Sequence, residues 1–403
     1  MNREAWLDFM RVSACFMVMM VHSTEPFYLG GDGALVLTAT DAFWVSLVEA
    51  LCRCCVPLFV IASSYLQFPL HYSTEDFFRR RAVRILVPML VWTLVYALVW
   101  GEPVANLKGL LFNFNYAAGH LWFVYMLVGL YLIMPVLSPW AEKVSRLELQ
   151  VYLGIWLLTT LIPFVREAAG GEAPLIQAFD GLPAAAQFPL WGEASWNPFG
   201  LFYYVSGFVG YLLVGLYIRK FLVRNKWTRL AGWTLLLLGF VAIFFGLLRR
   251  MSASSEGFPI AGPLEMAIGW ETVLSFCGFP VVLTAVGFTL VFSSPKGGTF
   301  PGAKKKVDVP GNASPLAEQS AFYRGVVLPL SKAGYGMYLM HMLVLAVVSA
   351  WLRGWLGVGA DGVLGVWTTP VEILGTALLA FVVTGLVSIL VQRIPRVGKY
   401  LMG

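Results

Sequence analysis

Long apolar runs are the feature that most constrains this chain. Several of them reach the roughly 20 residues that an α-helix needs to cross a bilayer. Only 12% of the 403 residues are charged and 59% are apolar, whereas about a quarter of a soluble domain is charged. Because helices and closed barrels are the structures that satisfy backbone polar groups in lipid, runs of this length predict an all-α polytopic membrane protein, with 1–403 as one domain.

The runs divide into ten predicted transmembrane helices. They lie near residues 6–27, 43–68, 80–100, 119–138, 149–165, 199–218, 230–249, 266–293, 325–352 and 370–392. The run 266–293 is long for one span, so we expect it to be tilted or kinked near Pro280.

The distribution of Lys and Arg predicts the orientation. With the N-terminus inside, 21 of the 28 basic residues fall on the cytoplasmic side and five on the outer side. Cytoplasmic segments carry such an excess, so both termini are predicted to be cytoplasmic. The net charge of +6 therefore indicates orientation rather than nucleic-acid binding. The long connections are an outer loop, 166–198, and an inner loop, 294–324, that reads as flexible.

The first apolar run carries two unexpected polar residues. Arg11 and His22 lie in MNREAWLDFMRVSACFMVMMVHSTEPFYL, and no cleavage site follows the apolar core, so we read a mature helix rather than a signal peptide. Eleven residues of helix rise about 16 Å, which places both side chains near one face. One alternative is that Arg11 reaches lipid phosphate and His22 is an interfacial histidine. Their common face favours a polar bundle interior instead.

The third run opens with four arginines in FFRRRAVRILVP. Arg81 and Arg84 are spaced i, i+3 and would share a face of an α-helix. The group fits a cytoplasmic anchor, but Arg84 lies deeper than an anchor requires. Guanidinium groups match phosphate oxygens, so a phosphorylated ligand entering from the cytoplasm is the second interpretation.

Other polar residues fall within predicted spans. Arg53 is near the middle of the second span, one turn after Glu49, which predicts an internal ion pair. His120 opens the fourth span and His341 lies inside the ninth; each could be a structural histidine. The Cys, His and carboxylate residues have no convincing metal-ligand spacing, so no metal site is predicted.

Five stretches in order resemble the acyltransferase-3 family of integral membrane O-acyltransferases. They are LDFMRVSACFMVMMVH with its Arg-x10-His spacing, RCCVPLFVIASSYL, RRRAVRILVP with its RxxR element, HLWFV and GYGMYLMH. Ser64 stands where the second of these patterns often has Gly.

The resemblance implies O-acylation of a carbohydrate or glycolipid acceptor of the cell envelope, with acetyl-coenzyme A as the usual donor. It also implies that His22 is the catalytic residue and Arg11 its partner. Ten spans use the whole chain, so we expect a stand-alone member without a fused hydrolase-like domain. The expected location is a bacterial inner membrane.

These expectations define one mechanism. Donor-binding groups are predicted to be Arg11, Arg53, Arg81 and Arg84. His22 is the predicted general base, with an acyl-imidazole as the competing role, and Glu25 would orient it. Predicted acceptor-binding residues are His120, Trp122 and His341.

The alternative function is a flippase or transporter of glycolipids. Against it, the sequence has no evident pair of Gly- or Pro-broken half-helices in matching halves.

Overall fold

The computed structural model describes residues 4–30, 33–113, 117–168, 199–293, 320–357 and 368–403. Most of the predicted outer loop 166–198 and inner loop 294–324 lies outside the described residues.

The described residues are mainly α-helical, which confirms the predicted fold class. The α-helices are α1 (Ala5–Thr24), α2 (Ala39–Cys52), α3 (Cys55–Gln67), α4 (Thr74–Arg81), α5 (Val87–Val99), α6 (Pro103–Gly109), α7 (Trp122–Lys143), α8 (Arg146–Thr159), α9 (Ile162–Ala168), α10 (Val209–Lys220), α11 (Lys226–Ala253), α12 (Leu264–Trp270), α13 (Phe279–Phe292), α14 (Leu328–Leu356), α15 (Thr368–Gln392) and α16 (Gly398–Met402). Two π-helical turns, Ala82–Leu86 and Tyr323–Val327, lead into α5 and α14.

In the described part of the chain, eight helices are long and apolar enough to cross a membrane. A ninth crossing is formed if the pair Leu264–Leu274 and Phe279–Phe292 counts as one bent span. The bend of 41° falls just before Pro280, the second residue of α13. This confirms the kink predicted for 266–293.

The sixth predicted span, 199–218, is not a continuous helix. Gly200–Val205 forms a 3-10 turn, and α10 then contributes only 12 residues. Gly207 between them has a φ of 74°, a left-handed conformation that interrupts an α-helix and that glycine adopts without strain. Because 12 residues are too few to cross a bilayer as one helix, the single continuous helix predicted for 199–218 is replaced by two shorter helical segments.

A small antiparallel sheet was not predicted. Its strands are β1 (Leu29–Gly30), β2 (Gly33–Val36) and β3 (Ile260–Pro263), in the order β1-β2-β3. The sheet connects the end of α1 to the start of α12. Pairing between segments more than 220 residues apart has no local signature, because strands this short show too little alternation.

Two membrane helices, α11 and α13, touch through glycine. A Cβ on Gly287 would lie 2.5 Å from the backbone nitrogen of Leu236, and one on Gly239 would lie 2.7 Å from the carbonyl oxygen of Pro280. Small residues allow such close approach of helix backbones in membranes. The contact holds α13 beside α11 and so fixes the position of the bend that precedes α13.

The helix α1 lies at the centre of the bundle. It packs against α2, α3, α14 and α15, and Met10, Ala14 and Met19 on it are buried. An all-round environment of protein keeps the polar side chains of α1 away from lipid, as the cost of burying charge in hydrocarbon requires.

The second crossing is also interrupted. The helices α2 and α3 are separated at Arg53 and Cys54. The Nε of Arg53 donates to the carbonyl oxygen of Leu274 at 2.9 Å, and Leu274 ends the helical turn before the bend at 275–278. Thus two interrupted crossings meet at Arg53. The interruption of 266–293 was predicted as a kink near Pro280, whereas the break at Arg53 and Cys54 was not predicted.

Candidate active site

A cavity of about 950 Å³ lies inside the bundle. Helix α1 contributes Arg11 near one end and His22 near the other, so the cavity follows the helix over the length that the sequence predicted. Its size is at the upper end of the roughly 300–1,000 Å³ usual for small-molecule sites.

The end of the cavity that is predicted to face the cytoplasm is basic. Arg11 on α1, Arg84 on the first π-turn and Lys332 on α14 line it. The two acidic side chains among the lining residues, Glu25 and Glu271, come from segments at the opposite end. Three cationic side chains in a lining whose acidic side chains lie at the other end favour an anionic ligand group there; Gly403 lines the cavity beside Arg84 as well.

Behind the basic end, a buried carboxylate fixes α1 to α14. Asp8 is 3% exposed and accepts hydrogen bonds from Tyr323 and Ser331, each at 2.6 Å. Ser331 lines the cavity and precedes Lys332. The bond therefore sets the rotation of α14 that brings Lys332 to the same end as Arg11.

Arg81 does not line this cavity. Its guanidinium contacts the side-chain oxygen of Gln67 and lies over the rings of Phe77 and Tyr131, at 4.9 and 5.4 Å from their centroids. Gln67 and Tyr131 do line the cavity, so Arg81 lies behind the residues that form its wall. The reason is the π-turn that begins at Ala82: its wider turn removes the i, i+3 alignment with Arg84 that an α-helix would give.

His22 and Glu25 form a pair at the other end. The Nδ1 of His22 is 2.7 Å from Oε1 of Glu25, and their side chains are 21% and 32% exposed. The Glu25 carboxylate can only accept, so in the neutral imidazole the Nδ1 carries the proton and donates it, leaving Nε2 as an acceptor.

Two further histidines form a cluster with His22, in which His341 lies between the other two. The ring of His341 has its centroid 5.1 Å from that of His22 and 5.1 Å from that of His120. His341 is fully buried and does not line the cavity, whereas His120 does. The Nδ1 of His341 contacts the carbonyl oxygen of Tyr338, which orients its ring. Among the described residues, no group of three or more His, Cys, Asp and Glu side chains could hold a metal ion.

The Nε2 atoms of His120 and His341 share an unusual state. Both are buried and lack a hydrogen-bond partner within the described part of the chain. An unsatisfied buried polar atom is costly, and in His120 it belongs to a residue that lines the cavity. A ligand in the cavity could supply the missing partner of His120.

Arg53 connects α1, α2 and the bend before α13. Its NH1 is 3.4 Å from Oε2 of Glu49, which confirms the predicted internal pair. The fully buried Glu49 also accepts a bond from the hydroxyl of Thr24 at 2.7 Å. Thr24 lies one residue before Glu25, so this network holds the end of α1 that carries the His22–Glu25 pair.

An aromatic wall lies beside Arg53, which itself lines the cavity. Trp122 stacks on Phe276, with a centroid distance of 5.5 Å and an interplanar angle of 27°. The guanidinium of Arg53 lies over the other ring of the pair, 4.6 Å from the centroid of Phe276. Phe276 belongs to the bend at 275–278, so non-helical backbone at membrane depth here lines a cavity rather than lipid, as expected.

Lys332 and Glu271 line the cavity but were not predicted as site residues. A lysine inside a span was a usable signal for the first. Glu271, which lies inside the predicted span 266–293, carried the same signal. It accepts a bond of 2.8 Å from the hydroxyl of Tyr28, whose pKa is raised well above its ordinary value by burial and by the Glu271 charge. Tyr28 therefore remains a donor to Glu271.

A comparison with protein families gives one match. The family model described as an acyltransferase domain, that of the acyltransferase-3 family, matches residues 4–390. No curated protein and no solved structure matches the chain. The matched region covers nearly the whole sequence and includes Arg11, Arg84, His22 and the bend that lines the cavity. The chain belongs to the acyltransferase-3 family of membrane acyltransferases.

Proposed function

We propose that this protein transfers an acetyl group from cytoplasmic acetyl-coenzyme A to a hydroxyl of an envelope carbohydrate or glycolipid, in a bacterial inner membrane. Membership of the family supports acyl transfer. The observation that carries the finer proposal is the single cavity with Arg11, Arg84 and Lys332 at one end and His22 at the other.

The basic end suits the charged part of the donor. Coenzyme A carries its phosphates at one end and its thioester at the other, joined by a long, flexible arm. Arg11, Arg84 and Lys332 would hold the phosphates, Arg84 and Arg11 through forked hydrogen bonds and Lys332 as a point charge. Arg81 would act indirectly, by fixing Gln67 and Tyr131 in the wall.

The arm would then extend along α1 toward His22. The rise of about 16 Å between Arg11 and His22 is a length that such an arm can span. Arg53 lies above the aromatic wall of Trp122 and Phe276, which would pack against the apolar part of the arm. In this arrangement Arg53 helps to form the cavity wall, and its charge is paired with that of Glu49.

His22 would act as the general base. Its Nδ1–H is directed to Glu25, so its Nε2 lone pair is available for the proton of an acceptor hydroxyl. The hydroxyl oxygen attacks the thioester carbon, the C–S bond breaks, and the proton held by His22 passes to the sulfur of coenzyme A. In the tautomer protonated at Nε2, His120 would donate to the carbonyl oxygen as charge develops on it.

The competing flippase has one structural feature in its favour. Interrupted crossings meet at Arg53 and line the cavity, and transporters bind their substrates at such breaks. A flippase, however, needs neither the His22–Glu25 pair nor a family relationship to acyltransferases. Titration calorimetry with acetyl-coenzyme A separates the two functions, because binding is required only of the acyltransferase.

The test of the proposed function uses the full chain in nanodiscs and its His22→Ala variant. Both should bind acetyl-coenzyme A with similar affinity, while His22→Ala should lose transfer of radiolabelled acetyl to acceptors in native membranes. Label retained on the quenched protein would indicate an acyl-imidazole instead of direct attack. Full transfer by His22→Ala, or no binding of acetyl-coenzyme A by the unaltered protein, would contradict the proposal.

A further inference from the structure

A second cavity of about 400 Å³ lies on the far side of the His22–Glu25 pair. Its walls come from the end of α1, from Trp100 just after α5, from the second half of α14 and from the start of α15. In the predicted orientation each of these segments is near the outer face. The second cavity therefore opens on the side opposite to Arg84 and Lys332.

His22 and Glu25 line both cavities. The imidazole is thus part of the wall between a chamber that is basic toward the cytoplasm and a chamber nearer the outer face. A thioester that reaches His22 through the first cavity leaves the second cavity free. A second reactant can then approach the same imidazole without displacing the donor.

Beyond the His22–Glu25 pair, the charges that line the second cavity cancel, and its wall is only partly polar. One face of α14 lines it with Met342, Leu345, Ala346 and Ser349, spaced at three and four residues as one helix face requires. The part of this face nearer the N-terminus of α14, made of Met342, Leu345 and Ala346, is apolar. The hydroxyl of Ser349 lies farther toward the predicted outer face.

At the outer end the charges are paired. The Nε of Arg353 is 2.8 Å from Oε1 of Glu372, and both residues line the cavity. A paired guanidinium and carboxylate still offer hydrogen-bond donors and acceptors but leave little net charge for an ionic ligand. Trp100, which is 41% exposed, adds a flat apolar surface against which a sugar ring can pack.

We propose that the second cavity is the acceptor site, and that it receives an uncharged sugar hydroxyl from the outer side of the membrane. This rests on the proposed function, since it assigns the other reactant to the same imidazole. The hydroxyl gives its proton to Nε2 of His22 as its oxygen bonds to the thioester carbon. The acetyl ester then remains in the second cavity, and coenzyme A, with the proton on its sulfur, remains in the first.

The test fills the second cavity without touching the first. Ala346→Trp places a large side chain inside it, and Ser349→Phe does so from one turn farther along α14. The matched control is Val347→Trp on the same helix, because Val347 is 71% exposed and lines neither cavity. Each protein is assayed in membranes that contain the endogenous acceptors, with radiolabelled acetyl-coenzyme A as the probe.

We expect both cavity-filling variants to transfer at least tenfold less label than the unaltered protein. Their affinity for acetyl-coenzyme A, measured by calorimetry in nanodiscs, should change less than twofold, which also shows that they are folded. Val347→Trp should transfer normally. Mass spectrometry of the labelled product should find the ester on an uncharged sugar.

Three kinds of result overturn the acceptor assignment while leaving the proposed function standing. The first is normal transfer by both cavity-filling variants; the second is an acetyl group found on an amine or on a charged sugar. An equal loss of donor affinity in both variants would mean that the second cavity belongs to the donor, which also overturns it. If the unaltered protein neither binds acetyl-coenzyme A nor transfers acetyl, the result contradicts the proposed function itself rather than the acceptor assignment.

Discussion

The hydrogen bond between His22 and Glu25 gives a quantitative test of the mechanism. Replacing Glu25 with Gln keeps the size of the side chain but removes its charge. The contact is 2.7 Å long, and the two side chains are 21% and 32% exposed, so water screens it only in part. A hydrogen bond to a charged group contributes about 1.5–3 kcal/mol.

This energy corresponds to a change in the rate of transfer. The imidazole becomes positively charged as it takes the proton of the acceptor, so the Glu25 charge stabilises the transition state more than the ground state. With about 1.4 kcal/mol for each tenfold change in rate, Glu25→Gln should lower kcat by about 10- to 100-fold. The KM for acetyl-coenzyme A should hardly change, because Glu25 is far from the basic end.

The assay is steady-state acetyl transfer in nanodiscs at saturating acceptor. Glu265→Gln is the matched control, because Glu265 is an exposed carboxylate near the same predicted face of the membrane and lines neither cavity. If Glu25→Gln kept its full kcat, the carboxylate would not orient or stabilise the imidazole. The base would then have to be sought elsewhere in the histidine cluster.

Three further predictions concern the donor end, the central ion pair and the helix packing. Lys332→Ala should weaken acetyl-coenzyme A binding, measured by calorimetry, by about fivefold, because one partly screened charge contributes roughly 1 kcal/mol. The control is Arg80→Ala, which should bind as the unaltered protein does because Arg80 is exposed and lines neither cavity. Arg53→Gln leaves the buried Glu49 unpaired and should cost about 3–5 kcal/mol, measured as a large fall in Tm that a second change, Glu49→Gln, partly restores. Gly287→Val should lower Tm through about 1–3 kcal/mol of overpacking, since its Cβ would lie 2.5 Å from the backbone of α11; an unchanged Tm would mean that the helices can separate.

Much of the fold could be predicted because membrane crossing is a local property. Length and apolarity of a run decide whether it spans, and the structure has eight or nine such spans among its described residues. The failure at 199–218 has a conformational cause: Gly207 adopts a positive φ within a run whose apolarity alone suggested a helix. The sheet formed by β1, β2 and β3 could not be foreseen, since its pairing depends on two distant segments being brought together.

The candidate site was likewise predictable only in part. The common face of Arg11 and His22 follows from helix geometry along one segment, and both residues line one cavity. The displacement of Arg81 depends on a π-turn, and such turns have no reliable signal in a single sequence.

The sequence by itself determined that the chain crosses the membrane repeatedly, in which segments its basic residues gather, and that one helix carries a guanidinium and an imidazole three turns apart. Only the tertiary structure decided that Lys332 joins the basic end, that His341 packs against His22, and that a second cavity opens beyond His22. The reason is physical. Spacing along a helix is set by its own hydrogen bonds, whereas the rotation of one helix against another is set by the packing of side chains that lie far apart in the chain.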